Sequence, residues 1–177
     1  NGDTLITYAK LDYSSIPQYA NQPSGHNDIL DLSITAKISH PNVYTGGNFS
    51  KGTGNIRIYY ANPDKQLRKP VLIVDGFDPG NKRRIEEYKG EENEVGLSIW
   101  ELLDYGNGNH LGKLLIYNLD YDLIILDLPD GGGYIERNAM VCIEVINEIN
   151  RRLALSGSKE EIVIVGPSMG GQITRYA

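Results

Sequence analysis

The sequence predicts an α/β fold: a mainly parallel sheet with flanking helices, and antiparallel strands at its N-terminal edge. Two observations carry this prediction. After Ile29, apolar and polar residues alternate as they do in half-buried strands. From Val71 onward, continuous apolar runs, typical of strands buried on both faces, are separated by helical segments. This order of strands and helices indicates parallel strands joined by right-handed crossovers.

Length and charge limit the classes of protein to which the chain can belong. At 177 residues, it is long enough for one domain with a real core. The formal net charge is -6 and the Lys and Arg residues are scattered. Both features argue against a nucleic-acid partner, because phosphate binding needs a basic face. No apolar run reaches the length of a membrane span.

The N-terminal part is expected to be an arm followed by two paired strands. Residues 1–28 are polar and lack a sustained helical or strand period, which predicts an extended arm. Alternation then predicts a strand from Ile29 that closes at His40 and Pro41. A loop containing four glycines is expected next: Gly46, Gly47, Gly52 and Gly54. A second strand, Asn55 to Tyr60, would complete an antiparallel pair at the sheet edge.

The middle of the chain is where buried strands begin to alternate with helices. The run Val71 to Val74 ends in a glycine-containing loop that starts at Asp75. The charged segment 81–96 is expected to be solvated surface. Two helices and a second buried strand follow, at 97–105, 111–118 and 122–128.

The clearest helix follows the loop at Gly131 to Gly133. Its apolar residues step by four, three, four, three and four positions and so form one stripe: Ile135, Ala139, Cys142, Ile146, Ile149 and Leu153. Ser156 and Gly157 are expected to end it. Such a stripe is suited to packing on a sheet, and the chain then enters another buried strand, Ile162 to Val165.

That last strand leads directly into the motif with the most chemical content, Gly-x-Ser-x-Gly at Gly166, Ser168 and Gly170. This spacing is typical of a sharp turn from strand to helix that lifts a serine hydroxyl to the top of a sheet. The glycines leave room for the crowded backbone. The pentapeptide alone is a weak signal, but here a strand precedes it and a helix follows it. The sequence therefore predicts a nucleophile beside an anion site at the helix N-terminus.

These motifs resemble the α/β-hydrolase superfamily, and lipases and esterases in particular, over residues 29–177. The elbow Gly-Pro-Ser-Met-Gly-Gly is similar to the Gly-His-Ser-Met-Gly-Gly often seen in that family, with Pro167 in place of His. The run Val-Leu-Ile-Val-Asp-Gly-Phe is similar to the third strand and the loop after it. Lipases commonly have His-Gly in that loop, and here the His position holds Asp75.

The resemblance implies a serine hydrolase of carboxylic esters, acting on a small-molecule or lipid ester without a cofactor. Ser168 would be the nucleophile, and the backbone amides of Met169 and Phe77 would form the oxyanion hole. The amides of Gly76 and Asp78 compete with that of Phe77. The described motifs would make up the N-terminal part of the hydrolase domain.

The family places an acid and a histidine after the serine in sequence. Only nine residues follow Ser168, and none of them is acidic or His. The three histidines of the chain precede it and are expected at the surface: His26, His40 and His110. The triad acid and histidine are therefore expected in sequence after Ala177, in the remainder of the hydrolase domain. Residues 1–177 alone are expected to be inactive.

Two other sites are weaker hypotheses. Four aspartates lie close in sequence: Asp120, Asp122, Asp127 and Asp130. Strand alternation sends neighbours to opposite faces, and no His or Cys set has metal-ligand spacing, so no metal site is predicted. Gly131 to Gly133 could cradle a phosphate, but neither dinucleotide nor P-loop spacing is present. A flexible wall of the acyl cleft is the preferred interpretation.

One alternative from another functional class remains open: a non-catalytic α/β-hydrolase-like binding or scaffold domain that keeps the serine without a functioning base. A downstream acid and histidine would distinguish it from the esterase. Peptidase, amidase and thioesterase activities also use this elbow, so the motif does not select among them.

Overall fold

The fold is built on one five-stranded mixed sheet. The computed structural model describes residues 29–91, 96–103 and 110–177, so the predicted arm at 1–28, with His26, lies outside it. The strands are β1 (Ile29–Pro41), β2 (Phe49–Tyr59), β3 (Pro70–Val74), β4 (Asp122–Asp127) and β5 (Val163–Val165). Their spatial order is β1-β2-β4-β3-β5. β2 pairs antiparallel with β1 and β4, whereas β3 pairs parallel with β4 and β5. The predicted α/β class with an antiparallel pair at the N-terminal edge is confirmed.

Helices follow each of the parallel strands. They are α1 (Ile99–Leu103), α2 (Leu111–Lys113), α3 (Ile135–Ser156) and α4 (Met169–Tyr176). A π-helical turn, Leu114–Asn118, extends α2, and a 3₁₀ turn, Val43–Thr45, joins β1 to β2. Residues 104–109 of the predicted first helix and the loop after it lie outside the described residues. As expected, α3 ends at Gly157, whose φ of 71° is left-handed and favours glycine.

Side chains of β3 and β4 alternate between two cores, one on each face of the sheet. Leu72 and Ile124 are fully buried against α3 and α4. Ile73 and Ile125 face the opposite core, which α1 and the turn after α2 cover. The helices that follow β3 thus cover one face of the sheet, while the helices that follow β4 and β5 cover the other face. Where adjacent connections diverge in this way, a crevice opens at the carboxyl ends of the strands.

The prediction of a glycine-rich loop is wrong for its second half, because Gly52 and Gly54 lie inside β2. A methyl group built on Gly52 would lie 2.7 Å from Cγ2 of Val141 in α3. One built on Gly54 would lie 2.8 Å from Cγ1 of Val141. Helix α3 therefore packs so closely on β2 that glycine is needed there. The glycines serve helix packing, although in sequence they looked like loop residues.

Two predictions of burial are also corrected. β5 was expected to be buried on both faces, as β3 and β4 are, but Val163 is 48% exposed and Val165 is 44% exposed. Among the described strands, β5 has a neighbour on one side only. Conversely, the charged segment 81–96 is not solvated throughout, since Ile85 is 8% exposed and packs in the core beneath α1. Residues 92–95 of that segment lie outside the described part.

In the part of the chain that the structure describes, no helix combines the length and apolar character needed to cross a membrane.

Candidate active site

Ser168 lies at the turn between β5 and α4, at the carboxyl edge of the sheet. Its backbone has φ 53° and ψ -126°, and its side chain is exposed. A non-glycine residue in this region carries strain of about 1 to 3 kcal/mol. The hydroxyl makes no hydrogen bond to any described residue. The turn thus holds an accessible hydroxyl in a backbone conformation that an unconstrained serine would leave.

The glycines on either side of Ser168 have no space for a side chain. A methyl group on Gly166 would lie 2.4 Å from the carbonyl carbon of Gly170. A methyl group on Gly170 would lie 2.4 Å from the carbonyl oxygen of Val74. The start of α4 therefore packs directly on the end of β3, and this packing holds the turn in place.

The loop after β3 lies against the same turn. A methyl group on Gly76 would lie 3.3 Å from Cβ of Ser168 and 3.9 Å from the amide nitrogen of Met169. The amide of Gly76 donates to Oδ1 of Asp75 at 2.8 Å. The amide of Asp78 donates to the carbonyl of Gly131 at 3.4 Å.

The amides of Phe77 and Met169, by contrast, have no acceptor among the described residues. That of Met169 is one of the amides at the start of α4 that a helix leaves unpaired. The two amides named from the sequence as oxyanion donors are thus unpaired within the described residues, and their two competitors are occupied.

Arg83 anchors this loop, and sequence reasoning missed it. Its Nη2 donates to the carbonyl of Phe77 at 2.7 Å, and its Nε donates to Oδ1 of Asp75 at 3.3 Å. Its own amide donates to Oδ2 of Asp78 at 2.8 Å. The single signal in the sequence was the basic run Lys82 to Arg84, which resembles ordinary surface.

Asp75, which stands where the motif of the resembled lipases commonly has His, is 4% exposed. Burial raises the pKa of its carboxyl, and the charge of Arg83 acts in the opposite direction. Its Oδ2 has no hydrogen-bond partner within the described residues. The carboxylate of Asp75 binds the amide of Gly76 and Arg83 binds the carbonyl of Phe77, so the two side chains together hold the backbone of the loop.

The four clustered aspartates do not converge. Asp122, at the start of β4, accepts from the backbone amides of Ala61 at 3.0 Å and Arg68 at 2.6 Å. Asp130 pairs with Arg137 of α3. Within the described residues, no three His, Cys, Asp or Glu side chains form a group that could hold a metal ion. The loop at Gly131 instead packs against the loop after β3, since a methyl group built on Gly131 would lie 3.1 Å from the carbonyl oxygen of Asp78.

Neither histidine in the described part contacts Ser168. His40 lies at the end of β1, four strand spacings from β5 in the sheet order, which is a distance of about 19 Å. Its ring lies 6.0 Å from that of Tyr134. His110 precedes α2, and its carbonyl accepts from Leu114 at 2.8 Å. The described residues thus supply no hydrogen-bonded base for the serine.

A second buried carboxylate, Asp127, lies beside Asp75. The amide of Asp75 donates to the carbonyl of Leu126 at 3.1 Å, so Asp75 and Asp127 are neighbours across the parallel pair. Burial raises the pKa of Asp127 from 3.8 to about 6, against the opposing effect of Arg84, whose Nη1 lies 3.7 Å from Oδ2.

The raised pKa of Asp127 predicts how stability depends on pH. The folded state binds the proton of the Asp127 carboxyl more tightly than the unfolded state does. The stabilisation that this proton gives is therefore fully present below pH 3.8 and is lost as pH rises through about 6. Asp127→Asn cannot titrate, and is expected to raise the free energy of unfolding at neutral pH by on the order of 2 kcal/mol. Urea unfolding of both proteins across this pH range measures the difference.

Asp31→Asn is the matched control, because the pKa of Asp31 is shifted in the opposite direction to that of Asp127. Hydrogen bonding to Arg57 lowers the pKa of the Asp31 carboxyl, so that contribution is present at neutral pH and is lost on acidification. If the free energy of unfolding of both variants depended on pH as that of the unsubstituted protein does, burial of Asp127 would not control its protonation.

Comparisons with known proteins add a loose similarity of fold. No protein-family model matches the sequence, and no curated protein matches it. The chain is similar to the solved structure of homoserine O-acetyltransferase from Bacillus anthracis, with 14% identity and a TM-score of 0.43 over 84% of this chain. It is also similar to esterase E22, with 16% identity and a TM-score of 0.38 over 82% of this chain. The chain spans 42% of the length of each of these proteins. Similarity of this degree assigns no activity, so a function has to rest on the geometry of the site.

Proposed function

We propose that the protein is a serine hydrolase of carboxylic esters, of the esterase or lipase type. The observation that carries the proposal is the backbone of Ser168, at φ 53°, which presents its hydroxyl at the sheet edge beside the start of α4. Strained residues of this kind cluster at active sites. The unoccupied amides of Met169 and Phe77 support the same interpretation, because an ester hydrolase needs donors for the developing oxyanion.

The proposed reaction passes through an acyl-enzyme. Oγ of Ser168 attacks the ester carbonyl carbon as its proton passes to a base, and the amides of Met169 and Phe77 bind the oxyanion of the tetrahedral intermediate. The bond to the alcohol oxygen then breaks, and the departing alcohol takes up the proton. Water attacks the acyl-enzyme next, which releases the carboxylic acid and restores the serine. Atoms and protons balance without a cofactor.

The base and its orienting acid are proposed to lie outside the part of the chain that the structure describes. His40 is too distant, and neither His40 nor His110 is bonded to Ser168. In the family that the motifs resemble, both groups follow the serine in sequence. The remainder of the hydrolase domain would therefore complete the site.

Labelling with a fluorophosphonate tests the proposal most directly, because this reagent reacts with activated serines. The whole gene product is treated, its intact mass is measured, and the modified residue is mapped by peptide sequencing. A single adduct on Ser168 is expected. A folded protein that forms no adduct would favour the non-catalytic binding domain. An adduct on another serine would remove Ser168 from the nucleophile role.

Arg83 supplies a separate test of the oxyanion loop. Arg83→Gln removes the bond to the carbonyl of Phe77 and loosens the backbone of that residue, whose amide is the proposed oxyanion donor, so kcat is expected to fall by about tenfold or more while KM changes little. Arg151→Gln is the matched control, because Arg151 is an exposed arginine that pairs with Glu148 on the surface of α3. Ester hydrolysis is measured for both. Equal kinetics in the two variants would show that Arg83 does not position the loop.

A further inference from the structure

A cleft of about 600 Å³ lies on the sheet face that carries Ile125, away from Ser168. Its floor is a row of polar residues that are register neighbours on β1, β2 and β4: Ser33, Asn55 and Asp127. Its wall is the segment Arg84 to Lys89. Ser168 follows β5, two strand positions from β4, so this polar cleft is separate from the proposed active site.

Most charges in the polar cleft already have partners. Arg57 binds Asp31 through two hydrogen bonds of 2.6 and 2.8 Å, and its Nη1 lies 2.7 Å from Glu86. Lys89 pairs with Glu87 at 3.4 Å. These pairs fix the shape of the cleft and leave it close to electrical balance, which disfavours a strongly charged ligand.

Asp127 keeps one carboxylate oxygen without a partner in the described residues. It is 2% exposed, it lines the cleft, and its Oδ1 has no hydrogen-bond partner among the described residues. Its Oδ2 lies 3.7 Å from Nη1 of Arg84, and the side chain of Asn55 hydrogen-bonds to the carboxylate. A buried acceptor without a partner is costly, so a ligand that donates to it would gain affinity.

We propose that the polar cleft binds a neutral polyhydroxylated ligand, such as a sugar or another polyol, through the unpaired Oδ1 of Asp127. A hydroxyl group can both donate and accept, whereas a carboxylate only accepts and a guanidinium only donates. Adjacent hydroxyls can therefore donate to Asp127 and accept from Arg84. The volume lies within the usual range of small-ligand sites, about 300 to 1,000 Å³.

Ligand-observed NMR tests the proposal, with D-glucose, D-galactose and myo-inositol as the probes and ethanolammonium as the cationic comparison. At least one polyol is expected to bind, and Asp127→Asn should weaken that binding by at least about tenfold. This variant is expected to be more stable than the unsubstituted protein at neutral pH, so loss of binding would not reflect unfolding. Glu87→Gln changes an exposed carboxylate at the rim and should leave the polyol affinity within about twofold.

Three results would overturn the proposal: no binding of any polyol, equal polyol binding by Asp127→Asn, or binding of ethanolammonium alone. The last would instead make the cleft a cation site. Fluorophosphonate labelling of Ser168 is independent of all three, so failure of this inference and failure of the proposed catalytic function can be told apart.

Discussion

Replacement of Ser168 by alanine is expected to lower kcat/KM for a carboxylic ester by at least about 10⁴-fold, since it removes the attacking oxygen. The measurement is steady-state hydrolysis of a chromogenic short-chain ester by the whole gene product. Alanine keeps the Cβ atom, and the backbone at φ 53° stays as strained as before, so the fold should be unchanged. Residual activity close to that of the unsubstituted protein would rule out Ser168 as the nucleophile.

Ser168→Gly separates catalysis from strain. Glycine adopts positive φ readily, so this variant should be equally inactive but more stable, by about 1 kcal/mol. The free energy of unfolding is measured by urea denaturation for both variants. If glycine stabilised no more than alanine, the backbone at this position would not be strained in solution.

Gly170→Ala is expected to have the largest effect on stability, a loss of about 3 kcal/mol in the free energy of unfolding. The added methyl group would lie 2.4 Å from the carbonyl oxygen of Val74 and 2.9 Å from that of Asp75. Both neighbours are backbone atoms at the end of β3, so neither can rotate away. Either α4 must shift or the strand end must move, and the oxyanion loop would move with it.

Gly80→Ala is the matched control for Gly170→Ala. The three atoms nearest to a methyl group on Gly80 all belong to the side chain of Lys82, at 3.2 Å or more, and that side chain can adjust. Its effect should stay within about 0.5 kcal/mol. Similar unfolding free energies for the two variants would mean that α4 does not pack on the end of β3 as described.

Local patterns in the sequence were sufficient for most of the secondary structure. The apolar stripe of α3 and its glycine end depend on contacts a few residues apart, and these set the period and the stop of a helix. The strands β3 and β4 were predictable for a similar reason, since continuous apolar runs suit burial on both faces. Patterns of this kind predicted the α/β class, the antiparallel pair of β1 and β2, and the turn at Ser168.

Burial at the sheet edges depended on which elements are neighbours. β5 has the same apolar character as β3, yet its side chains are more exposed because only β3 pairs with it in the described sheet. The sequence pattern predicted a loop at Gly52 and Gly54, because glycine content alone does not show whether a helix packs against these residues. The exposure of β5 and the need for glycine in β2 depend on strand order and helix placement, and local sequence patterns do not determine either of these.

The sequence by itself determined the α/β class, the limits of α3 and the turn that carries Ser168, because each depends on interactions between residues close in the chain. Only the tertiary structure brought the loop at Phe77 to that turn and showed which of its amides are occupied. It also turned the basic run at Arg83 and Arg84 inward onto Asp75 and Asp127. Those contacts depend on the pairing of β3 with β4 and β5, and that register is set by packing of the whole sheet.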